Sequence, residues 1–484
     1  MKRFLWVLAL VLPLLLSAAP SSLLAHDEGY YALQARWIVE SGDWLTPQSW
    51  GAPVYDRTIG VQWLMALSSR MLGFNSVGIH LPGWLAAAAA AGLTWRLSRS
   101  LITAAVLVLT PLWFSYAHMA TQDMPLLALE LLGLWGLWTG RAWAAGAWLG
   151  PAFLIKGFMA ALPAVAMLPL LVLERRQLLR DWRFWAALAL GWLPPLLWLA
   201  LSLQAHGLAV VSQLWGKLLW LSGKTVFSQG PLYYLWNLAV NAAPWGLLAP
   251  VGAVLLWQQW RRGALSRDAL LLWLGYPLAL LLLLSCFKTK TPYYGLQLTP
   301  FVAYAAATAL GWLSQLGGRG WRWWRLPPLL LGSALITAAV VVAPSSFAGV
   351  LPIPWLRAAG LLLGLCWLLS SWQPEGRRRL GLWLAGPYLA LVCLLQGGVF
   401  IDHSPEVRLK LAKPTVQAAL GRGPAHFLAE TPLNDAAQKE LIVLAISVPK
   451  LGQLHNSAKT VPAGVPVWRL QHNSWQLDQP WASR

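Results

Sequence analysis

Residues 4–25, FLWVLALVLPLLLSAAPSSLLA, run without a charge into His26-Asp27-Glu28-Gly29-Tyr30-Tyr31. Twenty-two apolar or small residues are enough to cross a bilayer. Ionised carboxylates are costly in hydrocarbon, so an acidic pair at the mouth of a span stands there for solvation or for chemistry. Lys2 and Arg3 precede the run and hold the N-terminus in the cytoplasm, which puts Asp27 on the outer side. The same start has the basic and apolar regions of a signal peptide, with small residues from Ser17 to Ala25 where cleavage could occur. Its length favours a retained span.

The rest of the chain extends that pattern. Of 484 residues 58% are hydrophobic and 11% charged, with mean hydropathy +0.55, whereas soluble domains carry about 25% charged residues. Thirty-four Trp suit a protein with much membrane–water interface. Spans are predicted at 77–95, 101–117, 124–140, 142–157, 158–173, 184–203, 233–258, 269–286, 293–315, 327–343, 354–372 and 380–400. With the first, that makes about thirteen. Alternate connections then carry Arg96 and Arg99, Arg141, Arg175 to Arg183, Arg261 to Arg267, Arg319 to Arg325, and Arg377 to Arg379. This is the positive-inside distribution, and it accounts for the net charge of +19 without nucleic acid. Cys286, Cys366 and Cys393 lie in or beside apolar runs and have neither metal-site nor disulfide spacing.

Between the first two spans, residues 26–76 form an outer loop. Tyr31, Gln34, Ala35, Ile38 and Val39 have helical spacing, as do residues from Ile59 to Leu72, so two helices along the interface are predicted. Ser41-Gly42-Asp43 breaks the first, and Gly51-Ala52-Pro53 marks a turn. After Phe400 charges crowd in and apolar runs shorten. Residues 401–484 are expected to form a small extracytoplasmic α/β domain beside a membrane domain of residues 1–400. Its strands are predicted at 427–429, 441–448 and 465–470, and its helices at 415–420 and 434–440.

The outward connections hold few charges, and they are chosen ones. Asp27 and Glu28 follow the first span; Asp56 and Arg57 precede the second interfacial helix. Asp123 lies in Tyr116-Ala117-His118-Met119-Ala120-Thr121-Gln122-Asp123-Met124-Pro125, and Lys156 in Leu154-Ile155-Lys156-Gly157. Lys288 and Lys290 lie in Phe287-Lys288-Thr289-Lys290-Thr291-Pro292-Tyr293-Tyr294. Asp-Glu after the first span, with Ser41-Gly42-Asp43-Trp44-Leu45-Thr46-Pro47 beyond it, resembles the first outer loop of the ArnT-like and PMT-like glycosyltransferases of the GT-C class. Asp123-Met124-Pro125 resembles their second acidic loop, Lys156-Gly157 and the 287–294 stretch their basic motifs, and Pro244-Trp245 a further landmark. The likeness covers roughly residues 1 to 315.

The resemblance implies an all-α polytopic fold of GT-C type. It also implies inverting transfer of a sugar from a polyprenyl-phosphate donor to a hydroxyl of a lipid, glycan or protein acceptor, at the outer face of a membrane such as a bacterial plasma membrane. Such transfer needs a base for the acceptor's proton and cations for the departing phosphate. The resemblance makes Asp27 the base, with Asp123 orienting the acceptor or sharing that work. Arg57, Lys156, Lys288 and Lys290 are donor-phosphate candidates, and Glu28, Asp56, Tyr293 and Tyr294 are supporting residues. Each has a plainer reading: solvated loop acids, a helix-start Glu28 favoured by the dipole, and lysines that snorkel at a span end. Where the family often has acid-Lys-Pro-Pro, this chain has Asp56-Arg57-Thr58-Ile59, so the family's particular sugar and lipid acceptor do not carry over. No motif names a cofactor; a divalent metal held by His26, His118 or His206 with a carboxylate is possible but lacks ligand spacing. Lys217 and Lys224 border the donor's entry or have no role. The alternative function, a transporter or flippase of lipid-linked sugars, calls for ionisable groups near mid-membrane.

Overall fold

The computed structural model describes residues 2–223, 228–341, 352–373 and 376–478. Lys224 and the end of the expected span 327–343 lie outside them. The chain begins with α1 (Lys2–Leu15), a π-turn (Ala25–Gly29), α2 (Tyr30–Ser41), a short hairpin of β1 (Gln48–Ser49) and β2 (Ala52–Pro53), and α3 (Gly60–Leu72). Then follow α4 (Ser76–Ser98), α5 (Leu101–Val108), α6 (Pro111–Ala117), α7 (Asp123–Thr139), α8 (Ala142–Ala147), α9 (Leu149–Lys156), α10 (Ala161–Glu174) and α11 (Trp182–His206). The loop expected after α11 holds α12 (Ala209–Gly223). Next are α13 (Tyr233–Asn241), α14 (Trp245–Arg261), α15 (Arg267–Leu270), α16 (Tyr276–Cys286), α17 (Thr299–Gln315), α18 (Gly318–Trp324), α19 (Leu326–Val341), α20 (Ile353–Trp372) and α21 (Arg377–Gln396).

Among the described residues eight helices are long and apolar enough to cross a membrane, and nine if α13 and α14, bent by 114° at Pro244, are one broken span. The expected span 101–117 is interrupted at Leu109-Thr110, where the Trp245 indole donates to the freed Leu109 carbonyl at 3.0 Å. A filled break of this kind keeps the backbone satisfied where water is scarce. By length and composition 142–174 reads as one 33-residue helix, but its contacts make it two arms. Lys156 pairs with Asp123 at the start of α7. Arg175 donates to the carbonyls of Leu137 and Trp138 near its end. The chain therefore travels the length of α7 twice, turning at Gly157, whose φ of +57° a residue with Cβ rarely adopts.

The arginine-bearing ends of the helices gather at one end of the bundle. Arg96 and Arg141 both lie over the Trp135 ring, Arg175 pairs with Asp268, and Arg267 with Glu174. The π-turn, Asp123 and Lys156 lie at the other end.

Beyond α21 come α22 (Pro405–Leu411), α23 (Pro414–Leu420), β3 (Ala425–Leu428), α24 (Asp435–Ser447), β4 (Leu451–His455), β5 (Val467–Gln471) and β6 (Ser474–Asp478). The four strands form one sheet in the order β4-β3-β5-β6, parallel except for the β5–β6 hairpin. Residues 441–448, expected as a strand, are instead the second half of α24 (through Ser447) and its extended C-cap Val448. Asn434 caps that helix by accepting from Ala437 N at 2.8 Å, and an unbroken apolar run does not separate a buried strand from a buried helix. Strands β4 and β6 escaped the sequence reading.

The α24 helix lies on α2 and the π-turn. A Cβ on Gly29 would come within 2.7 Å of the Ile442 side chain, so glycine permits this approach. The Arg36 guanidinium is buried and donates to the carbonyls of Ala445, Ile446, Val448 and Pro449 at the end of α24. Cations there satisfy orphan carbonyls and complement the helix dipole.

Candidate active site

Asp27 sits in the π-turn between α1 and α2 and is exposed. Among the described residues its carboxylate has no hydrogen-bond or ion-pair partner. The charges that act on it are those of Asp123, Arg57, Glu28 and Lys156. Though open to solvent on one side, the carboxyl is crowded by neighbouring protein, and this partial loss of hydration, with the nearby Asp123, raises its pKa above the ordinary carboxylate value despite Arg57 and Lys156.

The other acids at this end are already paired. Asp123 opens α7, 9% exposed, and takes the Lys156 ammonium. That ammonium lies 4.8 Å from the Tyr293 ring centre and 5.3 Å from that of Tyr294, so it is held by cation–π contacts as well. Asp56 and Arg57 pair at 2.9 Å, and the guanidinium stacks over Tyr30 and Tyr31 at 4.4 and 4.8 Å. Lys217 approaches Asp56 to 4.0 Å. The α3 helix packs on α9, and a Cβ on Gly157 would meet the Thr58 side chain at 3.7 Å, so the start of α3 brings Arg57 beside the end of α9 that carries Lys156. Tyr116 packs on Tyr293 at 6.1 Å. The result is one free carboxylate flanked by two ion pairs and walled with tyrosines.

Glu28 is turned the other way. Fully buried, it accepts from Leu24 N at 2.7 Å, Ala120 N at 2.8 Å and His80 Nε2 at 3.0 Å. Burial pushes its carboxyl up, but the His80 hydrogen bond and charge outweigh that and leave it lowered. His80 Nδ1 faces the Ser76 carbonyl at 2.7 Å. Both ring nitrogens thus face oxygen acceptors, an arrangement suited to an imidazolium beside a carboxylate. Glu28 therefore ties the Asp27 turn to the 118–122 loop that leads into Asp123. Neither His80 nor this tie was legible in the sequence.

The two lysines of the 287–294 stretch part company. Lys288 is exposed. Lys290 is buried, and its ammonium donates to the carbonyls of Phe287 and, at 3.1 Å, Gln229, so it braces its own loop. Of the four cations expected at a phosphate, the structure groups Arg57 and Lys156 around Asp27.

Among the described residues no group of three or more His, Cys, Asp or Glu could hold a metal ion. His26 pairs with Asp435, His206 meets Thr46, and His118 faces the Phe114 carbonyl. One intramembrane acid escaped the sequence reading. Glu130 in α7 is fully buried and accepts from the Tyr276 hydroxyl.

Residues 56–198 match a family described as dolichyl-phosphate-mannose-protein mannosyltransferase. The chain is similar to an undecaprenyl phosphate-alpha-4-amino-4-deoxy-L-arabinose arabinosyl transferase of Pseudomonas fluorescens, 26% identical over 418 residues, covering 78% of this chain and 68% of that one. The corresponding protein of Edwardsiella ictaluri is 27% identical over 86% of this chain and 80% of its own. For a Pseudomonas aeruginosa relative the match spans 52% of its length, at 28% identity. The crystal structure of ArnT from Cupriavidus metallidurans bound to undecaprenyl phosphate superposes with a TM-score of 0.73 at 19% identity, over 93% of this chain and 85% of that one. The fold is therefore that of ArnT, and the chain is similar to membrane glycosyltransferases along most of its length.

Proposed function

We propose that this protein transfers a sugar from a polyprenyl-phosphate donor to a hydroxyl-bearing acceptor at the outer face of the membrane. The observation that carries the reading is Asp27: an unpaired carboxylate with a raised pKa, set between the Asp123–Lys156 and Asp56–Arg57 pairs. In a single displacement the acceptor oxygen attacks the anomeric carbon, Asp27 takes the hydroxyl proton, and the sugar–phosphate bond breaks with its electron pair leaving on the phosphate. Such a step inverts the anomeric centre. Arg57 and Lys156, partly withdrawn from water, stabilise the departing phosphate, and exposed Lys288 meets it from the 287–291 loop. Asp123 fixes Lys156 and orients the acceptor, and Lys290 holds the loop. The names of the arabinosyl transferases support an undecaprenyl phosphate carrier, the family model a related one.

The topology we propose has thirteen passes. They are the nine candidates with 142–174 divided in two, plus α1, α5 with α6, and α7. With the arginine-rich end in the cytoplasm, Asp27 and a C-terminal α/β domain from residue 401 lie outside, in the periplasm if this is a bacterial plasma membrane.

The test is purified protein in proteoliposomes with a labelled polyprenyl-phosphate sugar and a panel of hydroxyl acceptors. Acceptor-dependent release of free polyprenyl phosphate is expected. Among the described residues Glu130, buried about 10 Å below Asp123 along α7, is the acid that favours the flippase reading. Movement of the intact donor between leaflets, without release of polyprenyl phosphate, would replace the transferase by a transporter.

A further inference from the structure

Running from mid-bundle toward the arginine-rich end, α4 and α7 leave a cavity of about 380 Å³ lined by Ala89, Gly92, Leu93, Ala128, Leu129 and Leu132, with Arg96 at its end. The lining repeats at helical spacing on both helices. Small residues at 89, 92 and 128 keep open what larger ones would fill. From Ala89 to Arg96 the groove runs about 10 Å, roughly two thirds of one leaflet's hydrocarbon.

Its mouth carries unbalanced charge. Arg96 and Arg141 are exposed, and their guanidinium carbons lie 5.6 and 4.8 Å from the centre of the same Trp135 ring. Among the described residues neither meets a carboxylate. Arg175 and Arg267, by contrast, are matched by Asp268 and Glu174. Two guanidiniums on one indole, at the end of a chain-width apolar groove, match a phosphate joined to an acyl chain. Guanidinium forks suit phosphate oxygens, and basic pockets between spans on the cytoplasmic side take anionic lipid headgroups.

We propose that the inner half of α4 and the facing stretch of α7 bind one anionic phospholipid, its acyl chain in the groove and its phosphate between Arg96 and Arg141. The headgroup arginines, over Trp135, lie toward the opposite end of α7 from Asp123, and only the leaflet assignment rests on the topology proposed above. The test uses the full chain, washed in detergent and supplied with phosphatidylglycerol, phosphatidylcholine or inorganic phosphate. Native mass spectrometry reads retained lipid, and thermal unfolding reads protection. One phosphatidylglycerol should be retained in preference to phosphatidylcholine. R96Q/R141Q should weaken its retention roughly thirty-fold, from about fivefold per cation, while R96K/R141K, which keeps the charge but not the fork, should weaken it less. Ala128→Leu should expel the lipid with both arginines in place, and it decides the matter if the glutamine variant does not fold. Equal retention of the two lipids, unchanged retention by R96Q/R141Q or by Ala128→Leu, or equal protection by inorganic phosphate would overturn the proposal.

Discussion

Asp27 carries the chemistry proposed here, and two measurements isolate it. Asp27→Asn preserves shape but removes the base, so transfer should fall about a hundred- to ten-thousand-fold, while the protein inserts and purifies normally because among the described residues the carboxylate has no partner to lose. Near-wild-type transfer by that variant would exclude Asp27 from the mechanism. The second measurement is pH dependence. A base acts only when ionised, and desolvation and then Asp123 raise the Asp27 pKa, so activity should fall with acidification at a higher pH than an ordinary carboxylate would give. Asp123→Asn removes one of the raising charges, and the acid limb of its residual kcat/KM should move to lower pH; an unmoved or upward-shifted limb would show that Asp27 does not set it.

Adjacent elements assign Glu28 a different duty. It joins the π-turn, α4 and the loop before α7 through three hydrogen bonds. Glu28→Gln places an amide donor against N–H donors and leaves His80 without its charge partner. Breaking a buried pair costs about 3–5 kcal/mol. Thermal stability should drop accordingly, while folded protein keeps more transfer activity than Asp27→Asn; a Glu28→Gln variant of unaltered stability would contradict this. Arg36 does the same for α2 and α24. Arg36→Ala strands four carbonyls at the end of α24, and hydrogen bonds from a charged group contribute about 1.5–3 kcal/mol each when buried. The segment after residue 400 should become the first target of limited proteolysis, while the spans stay intact. Equal resistance in wild type and variant would separate the clamp from docking.

For the whole molecule, a reporter fused after residue 400 should be active only in its extracytoplasmic form, since thirteen passes from a cytoplasmic N-terminus end outside; activity confined to the cytoplasm would rule that topology out. Apolar length, arginine placement and the acidic and basic motifs were open to reading in the sequence because each is a local property. Span length follows from bilayer thickness, and sidedness from the cost of moving cations across it. They named Asp27, Asp123, Arg57 and Lys156. They could not say that Lys290 turns onto the Gln229 carbonyl while Lys156 meets an acid 33 residues away, nor that 441–448 continues a helix. Nor did they expose the Glu28–His80 tie or the Arg36 clamp, which join residues 52 and 409 or more positions apart. Periodicity reports only which face of an element is apolar. Which buried polar group meets which depends on how distant elements pack, and in a dry interior each such group must find its partner there.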